Sequence, residues 1–386
     1  MAKVLTTDNI SSMLSAIRDY IDEQCERLAN GCSVSLSGNG ATLSASSVAY
    51  LKPAVIGLIL EEGVGLSSIT VTMGETDITS SAWDSDTNSI IISKVTDPVA
   101  VTVVTTSLLS TTLDGVTLSN RSLSVGQSWS TNVVADTGKQ VVPSNVVVTM
   151  EGTDITSTAY DWSTNTISIT NVTGTINVIA SAAVIDAAYK PVLCIQYEGT
   201  ASGKQFLTGY APTNLTEVIA DVNVLTLTNY SGVFGTNTAN TPYFALMARY
   251  TGSYGRGWWG NKALESSAFG AYLKIATRQT ITMGKGSLTY LPNGSSEYRT
   301  VTFDSTVTTP WTAASDIQFG GFRSGSSTFR GISIKIYEFQ IKEDNTLVRR
   351  YIPCYRISDN VIGLYDIVND SFLLQSDGGS DWTIPT

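Results

Sequence analysis

The clearest alternation of apolar and polar positions lies near the C-terminus, between Gly331 and Leu374. Apolar side chains recur there at every second position, which is the spacing of a strand with one buried face. These positions are Ile332, Ile334 and Ile336, followed by Phe339 and Ile341. A turn at 343–345 and a returning apolar segment at 347–352 complete a hairpin. The pattern predicts the closing strands of an antiparallel sandwich.

Residues 7–30 follow a different period. Their apolar side chains are spaced by alternating four- and three-residue steps, interrupted at Gln24. The series is Ile10, Leu14, Ile17, Ile21 and Leu28. This is a coiled-coil-like seam of about three heptads, widened by Met13 and Tyr20, and we expect it to oligomerise the chain or attach it to a larger assembly. The alternative is an amphipathic helix that packs on the chain's own β domain.

An internal repeat occupies residues 32 to about 183. The segment VTMGETDITS at 71–80 matches VTMEGTDITS at 148–157, and the match continues without a gap to position 104 of the first copy. Each copy contains short strand-like segments separated by turns, such as Asp86-Thr87-Asn88. Each copy therefore predicts a small β-sandwich.

The pattern shared by the two copies resembles that of bacterial Ig-like modules, which occur in tandem on surface proteins and phage structural proteins. It consists of VTM, a Gly, the triplet DIT, an Ala before an aromatic residue, and then N-x-I-x-I. The resemblance covers both copies. It implies a spacer or stalk, or occasionally an adhesive module, and not an enzyme.

The sequence changes character after Ala183, where short strand-like segments rich in Gly, Asn and aromatic residues begin. This half of the chain resembles the concanavalin A-like, or laminin-G-like, lectin and glucanase family, in a subgroup common in gut bacteria and their phages. The motifs are FLTGY (206–210), VFG (233–235), YFAL (243–246), IKIY (334–337), LVR (347–349), IPC (352–354), IGLYD (362–366) and NDSF (369–372). The resemblance implies a two-sheet jelly roll that frequently binds glycans at one face or loop end.

These patterns predict a mainly β fold class and four parts. The parts are an N-terminal α-helix for attachment or oligomerisation (1–31), Ig-like repeat 1 (32–106), Ig-like repeat 2 (107–184) and a concanavalin A-like antiparallel jelly-roll domain (185–386). Composition agrees, because hydrophobic residues make up 42% of the chain and charged residues only 15%. That mixture suits short strands better than long amphipathic helices.

Composition also argues against several function classes. The formal charge of −10, without a run of Lys and Arg, argues against nucleic acid or an anionic membrane surface as a partner. The absence of His excludes Ser-His-Asp triads, Cys-His dyads and imidazole metal sites. The cysteines, Cys25, Cys32, Cys194 and Cys354, form no CxxC pair and are expected to be free thiols, although Cys194 and Cys354 could lie on adjacent strands.

Charged residues elsewhere offer little chemistry. Asp84, Asp86 and Asn88 are spaced like calcium ligands, but Ser89 stands where an EF-hand loop needs Gly, and a hairpin turn explains them. The two Glu around an Asp that serve laminarinase-type hydrolases are absent. Arg349-Arg350 is interpreted as a solvated strand pair. We therefore expect no metal, no cofactor and no enzymatic activity.

The best candidate for a binding site is the aromatic, Gly-rich stretch at 250–262. Aromatic faces stack on sugars, while Arg and Asn side chains donate hydrogen bonds. The candidate glycan-binding residues are Tyr254, Arg256, Trp258, Trp259 and Asn261, with Arg323 in a second loop. Adjacent Trp258 and Trp259 point to opposite faces of a strand, so at most one contacts a given ligand. The alternative is that one is a core residue and the other lies in an oligomer interface.

The order of helix, repeats and terminal domain leads to a functional hypothesis. The N-terminus has no signal-peptide core and no apolar run spans a membrane, so we expect synthesis in a host cytoplasm, no membrane insertion and location on a virion. The hypothesis is a phage head or tail fibre, a homotrimer attached to other virion proteins by its helix, that adheres to host-surface or mucus glycans. Two alternatives stay open: a capsid decoration protein without a ligand, and a bacterial surface adhesin.

Overall fold

A computed structural model describes residues 7–61, 63–199, 204–236, 242–251, 254–260, 262–264, 271–303, 310–324, 328–377 and 381–385. Strands account for 54% of the residues and helices for 9%, and most strand pairs are antiparallel. The predicted mainly β fold class is therefore confirmed. Among the described helices, none is both long enough and apolar enough to span a membrane.

The N-terminal helix α1 (Thr7–Asn30) is followed by Gly31, whose φ is +76°. Its large apolar side chains are 39–64% exposed; they are Ile10, Met13, Leu14, Ile17, Tyr20, Ile21 and Leu28. The seam therefore does not pack on the chain's own β domain. The helix is tied to repeat 1 through Arg27, whose Nη1 donates to Asp97 Oδ1 (2.9 Å) and to the Thr96 carbonyl (3.1 Å).

Repeat 1 is a sandwich of two sheets around an apolar core. Its elements are β1 (Cys32–Ser37), β2 (Ala41–Leu43), β3 (Ser47–Val48), β4 (Ala54–Leu60), β5 (Val64–Met73), β6 (Thr76–Asp77), α2 (Thr79–Ala82), β7 (Trp83–Asp84), β8 (Ser89–Ile92) and β9 (Val99–Ser107). The described strands pair in the orders β3-β1-β9-β5-β6 and β2-β4-β8-β7. The first and last strands, β1 and β9, run parallel, which closes the repeat on itself.

Repeat 2 has the same construction and its own core. Its elements are β10 (Leu109–Asp114), β11 (Val116–Leu118), β12 (Trp129–Ala135), β13 (Gln140–Val141), a 3₁₀ turn (Pro143–Asn145), β14 (Val147–Met150), β15 (Thr153–Asp154), α3 (Thr156–Ala159), β16 (Tyr160–Asp161), β17 (Thr166–Ile169) and β18 (Ile176–Ala183). The described strands pair as β10-β18-β14-β15, with β13 beside β18, and as β11-β12-β17-β16. Again the first and last strands are parallel.

The DIT triplet shared by the repeats has a structural explanation. In repeat 1, Asp77 Oδ1 accepts hydrogen bonds from the backbone nitrogen and the hydroxyl of Thr79, and the Thr79 hydroxyl accepts from Val71 N at 2.7 Å. In repeat 2, Asp154 and Thr156 make the same bonds. Asp and Thr are needed because these side chains satisfy the backbone where strand gives way to a one-turn helix.

The Asp- and Asn-rich loop of repeat 1 is a hairpin turn between β7 and β8. The Asp84 carboxylate accepts from Asp86 N (3.0 Å) and from the Thr87 hydroxyl (2.8 Å), and Asn88 adopts a left-handed φ of +50°. The turn interpretation of this loop is therefore confirmed. In the described part of the chain, no three carboxylates and thiols come together as a metal site.

The C-terminal domain consists of a larger and a smaller sheet around one core. Its strands are β19 (Tyr189–Pro191), β20 (Ile195–Tyr197), β21 (Phe206–Leu207), β22 (Thr216–Thr226), β23 (Ser231–Gly235), β24 (Tyr243–Thr251), β25 (Tyr254–Gly260), β26 (Lys262–Leu264), β27 (Arg278–Gly284), β28 (Ser287–Tyr290), β29 (Arg299–Thr302), β30 (Gln318–Phe319), β31 (Gly321–Ser324), β32 (Thr328–Gly331), β33 (Ser333–Glu343), β34 (Thr346–Arg356), β35 (Ile362–Asp366) and β36 (Ser371–Leu373). The large sheet follows the order β29-β28-β27-β22-β33-β34-β35-β36, and off this path β19 pairs with β34 and β20 pairs with β33. The small sheet follows the order β21-β30-β23-β24-β25-β26, and β31 and β32 form a separate hairpin.

The apolar alternation of β33 is buried as predicted, and its break after Ile336 has a cause. Ile334, Ile336, Phe339 and Ile341 are fully buried. Opposite them on β22, the pairing changes from Asp221 with Glu338 to Val222 with Ile336, which leaves one extra residue on β33. A bulge of this kind shifts the side-chain alternation by one position.

The junction between repeat 2 and the C-terminal domain is packed. A small apolar core crosses it, formed by Val142, Ile185, Ile352, Cys354 and Tyr365. Arg278 adds a bidentate ion pair with Asp221 and donates from Nη2 to the Ser144 carbonyl of repeat 2 at 2.9 Å. The two units are therefore joined by buried surface as well as by the connecting chain.

Glu343 fastens the segment before β22 to the end of β33. Its carboxylate accepts hydrogen bonds of 2.5–2.7 Å from the hydroxyls of Tyr210, Thr213 and Thr216. Burial alone would raise the pKa of Glu343, but these hydrogen bonds to the charged form outweigh it and hold the pKa below its ordinary value.

Acid should therefore weaken this part of the domain. Because the folded-state pKa is depressed, the contribution of Glu343 is complete above its unfolded-state pKa of about 4.3 and is lost as the pH falls through the folded-state value. We expect Glu343→Gln to lower the melting temperature at pH 7. Between about pH 5 and pH 3, the melting temperature of this variant should fall less steeply than that of the unaltered chain. Calorimetry tests this, with Glu297→Gln at an exposed site as the control. If the melting temperatures of the two variants fall equally with pH, the prediction is contradicted.

Candidate functional site

The small sheet places the two adjacent tryptophans on opposite faces. On β25, Trp259 is 4% exposed and contacts Phe244 and Trp311 in the core, with ring centroids 5.8 and 5.3 Å away. Trp259 is thus a core residue and offers no face to a ligand, which corrects its place among the candidate residues. Trp258 and Arg256 alternate with it and lie on the outer face of the sheet.

The outer face carries a continuous row of rings and guanidinium groups. The Arg256 guanidinium carbon lies 4.5 Å from the Tyr250 ring centroid and 4.8 Å from that of Trp258. Tyr250 meets Tyr230 edge to face at 5.3 Å, and Arg330 lies 4.4 Å from the Tyr230 ring. We call Tyr230, Tyr250, Arg256, Trp258 and Arg330 the arginine–aromatic cluster.

The hairpin of β31 and β32 folds onto the same face and brings Arg330 to the cluster. Its Phe322 is fully buried beside Ala245 and Met247. Glycines on β23 make room for that ring, because a Cβ at Gly232 would lie 2.5 Å from it and a Cβ at Gly235 3.1 Å. Any side chain at Gly232 would therefore displace the hairpin.

The structure gathers some of the predicted site residues and separates others. Arg256 and Trp258 belong to the cluster. Tyr254 pairs with Thr251 where the β24–β25 hairpin closes, its side chain is not described, and Asn261 lies outside the described residues. Arg323 is exposed on β31 and alternates with Phe322, so it projects away from the sheet that Phe322 covers.

Sequence reasoning missed three members of the cluster: Tyr230, Tyr250 and Arg330. Tyr230 lies in the turn before β23, Tyr250 on β24 and Arg330 on β32, and only the strand order brings them together. Tyr250 lay inside the candidate stretch, and the bulge on β24 between Met247 and Thr251 carries it to the outer face. Nothing in the local sequence of Tyr230 or Arg330 marked them.

The cluster has the chemistry of a saccharide-binding surface. Aromatic edges and faces pack against sugar C–H groups, and guanidinium groups held over rings donate hydrogen bonds from their rims to hydroxyl or carboxylate oxygens. The rings restrict where each guanidinium lies, so less side-chain freedom is lost on binding.

A cavity of about 620 Å³ lies between repeat 2 and the C-terminal domain, with Trp162 and Tyr337 in its wall. Charged groups in its wall are engaged within the protein. Asp161 accepts from Ser163 and Thr164, and Arg278 is held by Asp221 and lies 4.1 Å from the Tyr337 ring. We assign this cavity to the junction.

The enclosed carboxylates and thiols of the C-terminal domain are also engaged or inert. Glu338 forms a two-point ion pair with Arg350, and Asp366 accepts from Arg350 N at 3.0 Å. Cys194 and Cys354 are buried free thiols, and burial raises the pKa of Cys194 to about 11. A thiol with a raised pKa is a poor nucleophile at neutral pH.

No family model matches the sequence. No curated protein matches it either. Among solved structures, the chain is similar to the full extracellular region of zebrafish Gpr126/Adgrg6, with 13% identity and a TM-score of 0.30. The match covers 72% of this chain and 41% of that one, so the chain spans about two fifths of its length. We draw no conclusion about fold or function from a similarity of this size.

Proposed function

We propose that the chain is an adhesive fibre protein of a phage virion, oligomerised by helix α1 and carrying a glycan-binding face on its C-terminal domain. One observation carries the proposal: the large apolar side chains of α1 are 39–64% exposed on an otherwise folded chain. Soluble monomers rarely expose a contiguous apolar stripe of this kind, and such stripes mark interaction surfaces.

The spacing of these side chains favours other copies of the same helix as the partner. Leu14, Ile21 and Leu28 occupy one core position of a heptad, and Ile10 and Ile17 occupy the other. Because the shorter three-residue step follows Leu14 and Ile21, those are a positions, and Ile10 and Ile17 are d positions. Both combinations present here, Leu at a with Ile at d and Ile at a and d, shift parallel coiled coils from dimers towards trimers and tetramers.

The order of the remaining parts supports a fibre. The helix is fixed to repeat 1 by Arg27, two β-sandwiches follow, and the arginine–aromatic cluster lies on the last domain. An attachment helix at one end and a binding domain at the other give a short appendage several weak binding faces at high local concentration. The virion assignment itself rests on the resemblance of the repeats and of the C-terminal domain to phage structural modules.

Assembly through α1 is directly testable. We expect the full chain to sediment as a trimer of its 41.1 kDa mass, and Ile17→Asp with Ile21→Asp to reduce it to a monomer, because buried carboxylates break the seam. The control is Ser12→Asp, which adds the same charge outside the a and d positions and should remain a trimer. A monomeric unaltered chain at micromolar concentration would contradict the assignment.

Adhesion is tested on an array of bacterial capsular and O-antigen polysaccharides together with mucin O-glycans. We expect the full chain to bind at least one of them, and Trp258→Ala to weaken that binding about tenfold, the scale of one lost aromatic contact in a binding site. Leu347→Ala, on the large sheet, should change nothing. If the chain forms trimers but binds none of the glycans, the decoration-protein alternative gains support and the adhesive role fails.

A further inference from the structure

The strand order concentrates basic residues on one sheet of an acidic chain. The described strands of the small sheet and its covering hairpin contain no Asp or Glu. Their charged residues are Arg249, Arg256, Lys262, Arg323 and Arg330. The chain as a whole carries a formal charge of −10. No local run of the sequence shows this, because the five residues are spread over 82 positions and only the fold collects them.

The large sheet of the same domain provides a contrast. Its strands carry basic residues too, but they also carry carboxylates that pair with them. Arg278 pairs with Asp221, Arg350 with Glu338, and Lys342 lies 3.9 Å from Glu217. On the small sheet, an anionic partner has to come from outside the strands, from a loop or from a ligand.

Arg330 is the clearest case. Among the described residues, no carboxylate lies within ion-pair distance of it, and its buried Nε has no hydrogen-bond acceptor. Its guanidinium is nevertheless held 4.4 Å from the Tyr230 ring centroid. A guanidinium presents parallel N–H groups that match the two oxygens of a carboxylate.

We propose that the arginine–aromatic cluster binds an anionic polysaccharide, with sugar carboxylates held by Arg256 and Arg330 and sugar C–H groups packed against the edges of Trp258 and the tyrosines. The inference rests on the proposed adhesive function and specifies its ligand class. One surface can recognise both sugar rings and carboxylates because aromatic rings and guanidinium groups lie side by side along it.

A nucleic acid fits the same surface less well. Bases stack on open aromatic faces, but guanidinium groups already lie over Tyr250 and Tyr230, and those two rings meet edge to face at 90°.

The test measures binding of the full chain to immobilised polygalacturonate, whose repeating sugar carries a carboxylate. Immobilised dextran is the neutral comparison, and single-stranded DNA is the non-saccharide polyanion. We expect binding to polygalacturonate alone, weakened as NaCl is raised from about 50 to 300 mM. Arg256→Gln and Arg330→Gln should each weaken it about tenfold, the scale of one lost charge-assisted hydrogen bond. Arg356→Gln, from an exposed ion pair on the large sheet, is the matched control.

The outcomes separate the two proposals. Equal binding to dextran and polygalacturonate would overturn the anionic class while leaving an adhesive role intact. Equal binding to DNA would overturn it as well, since the attraction would then be to any polyanion. Binding to neither polysaccharide overturns this proposal, and the glycan array then decides the adhesive role. The salt and polymer comparisons use the unaltered chain, so they decide the matter even if a variant fails to fold.

Discussion

Replacing Phe339 with Ala should destabilise the C-terminal domain by about 3–5 kcal/mol, the usual cost of removing a buried Phe ring. Phe339 is fully buried, stacks on Phe319 with ring centroids 3.9 Å apart, and also contacts Phe234 and Tyr351. It therefore connects the two sheets, and the surrounding rings cannot close the space that Ala leaves. Calorimetry should show the domain's transition about 10 °C lower.

The matched control for this change is Leu347→Ala, on the neighbouring strand of the same hairpin. Leu347 is 37% exposed, so its truncation should alter stability by no more than about 0.5 kcal/mol. Calorimetry suits the comparison because the chain has several cores and a single two-state unfolding free energy does not apply. Equal shifts in the two variants would show that Phe339 is not central to the core.

Arg350→Ala should destabilise the same domain by about 2–4 kcal/mol, because it leaves a buried carboxylate without its cation. Arg350 donates to both Glu338 oxygens at 3.0 Å, and Glu338 is 8% exposed. With its amide nitrogen turned towards Glu338, Asn145 of repeat 2 donates to that carboxylate at 3.2 Å and accepts from Arg350 at 2.7 Å. The substitution should therefore also loosen the junction with repeat 2.

A second variant distinguishes a lost ion pair from a lost contact. Replacing both Glu338 and Arg350 with Met should recover most of the stability, because no unpaired charge remains. Arg356, the last residue of the same strand, forms an exposed pair with Asp359 of the following turn, and Arg356→Ala should cost less than about 1 kcal/mol. If Arg350→Ala is no more costly than Arg356→Ala, the pair contributes little to the fold.

The sequence predicted best those helices and strands that have one apolar and one polar face. The alternation from Ile332 to Ile341 predicted buried strands because strand side chains have a period of two. The heptad steps from Ile10 to Leu28 predicted an amphipathic helix for the same kind of reason. The repeat at 71 and 148 predicted two equal sandwiches, although β9 extends to Ser107, one residue beyond the predicted end of repeat 1.

Long-range contacts could not be predicted in this way. The interpretation of Arg349 and Arg350 as a solvated pair was wrong: Arg349 lies 3.5 Å from the buried Asp366, and Arg350 pairs with Glu338. The cause is that repeat 2, through Asn145, covers this part of the large sheet's outer face. The local sequence around position 350 cannot predict that another domain packs over it.

The candidate site was likewise predictable in part from local alternation and in part only from the fold. Alternation predicted that only one of Trp258 and Trp259 could contact a ligand, since neighbours on a strand face opposite ways. The strand order, and two glycines that make room for Phe322, determine which tryptophan faces outward and which residues surround it. The basic character of the small sheet likewise emerges only when β24, β25 and β32 are placed side by side.

In the proposed fibre, several copies of one binding face act together through α1. The most direct test compares the apparent affinity of the full chain with that of its Ile17→Asp, Ile21→Asp variant on one polysaccharide surface that the chain binds. We predict that the unaltered chain binds about a hundredfold more tightly, because its second and third faces bind at high effective concentration. Equal apparent affinities for the two proteins would contradict it.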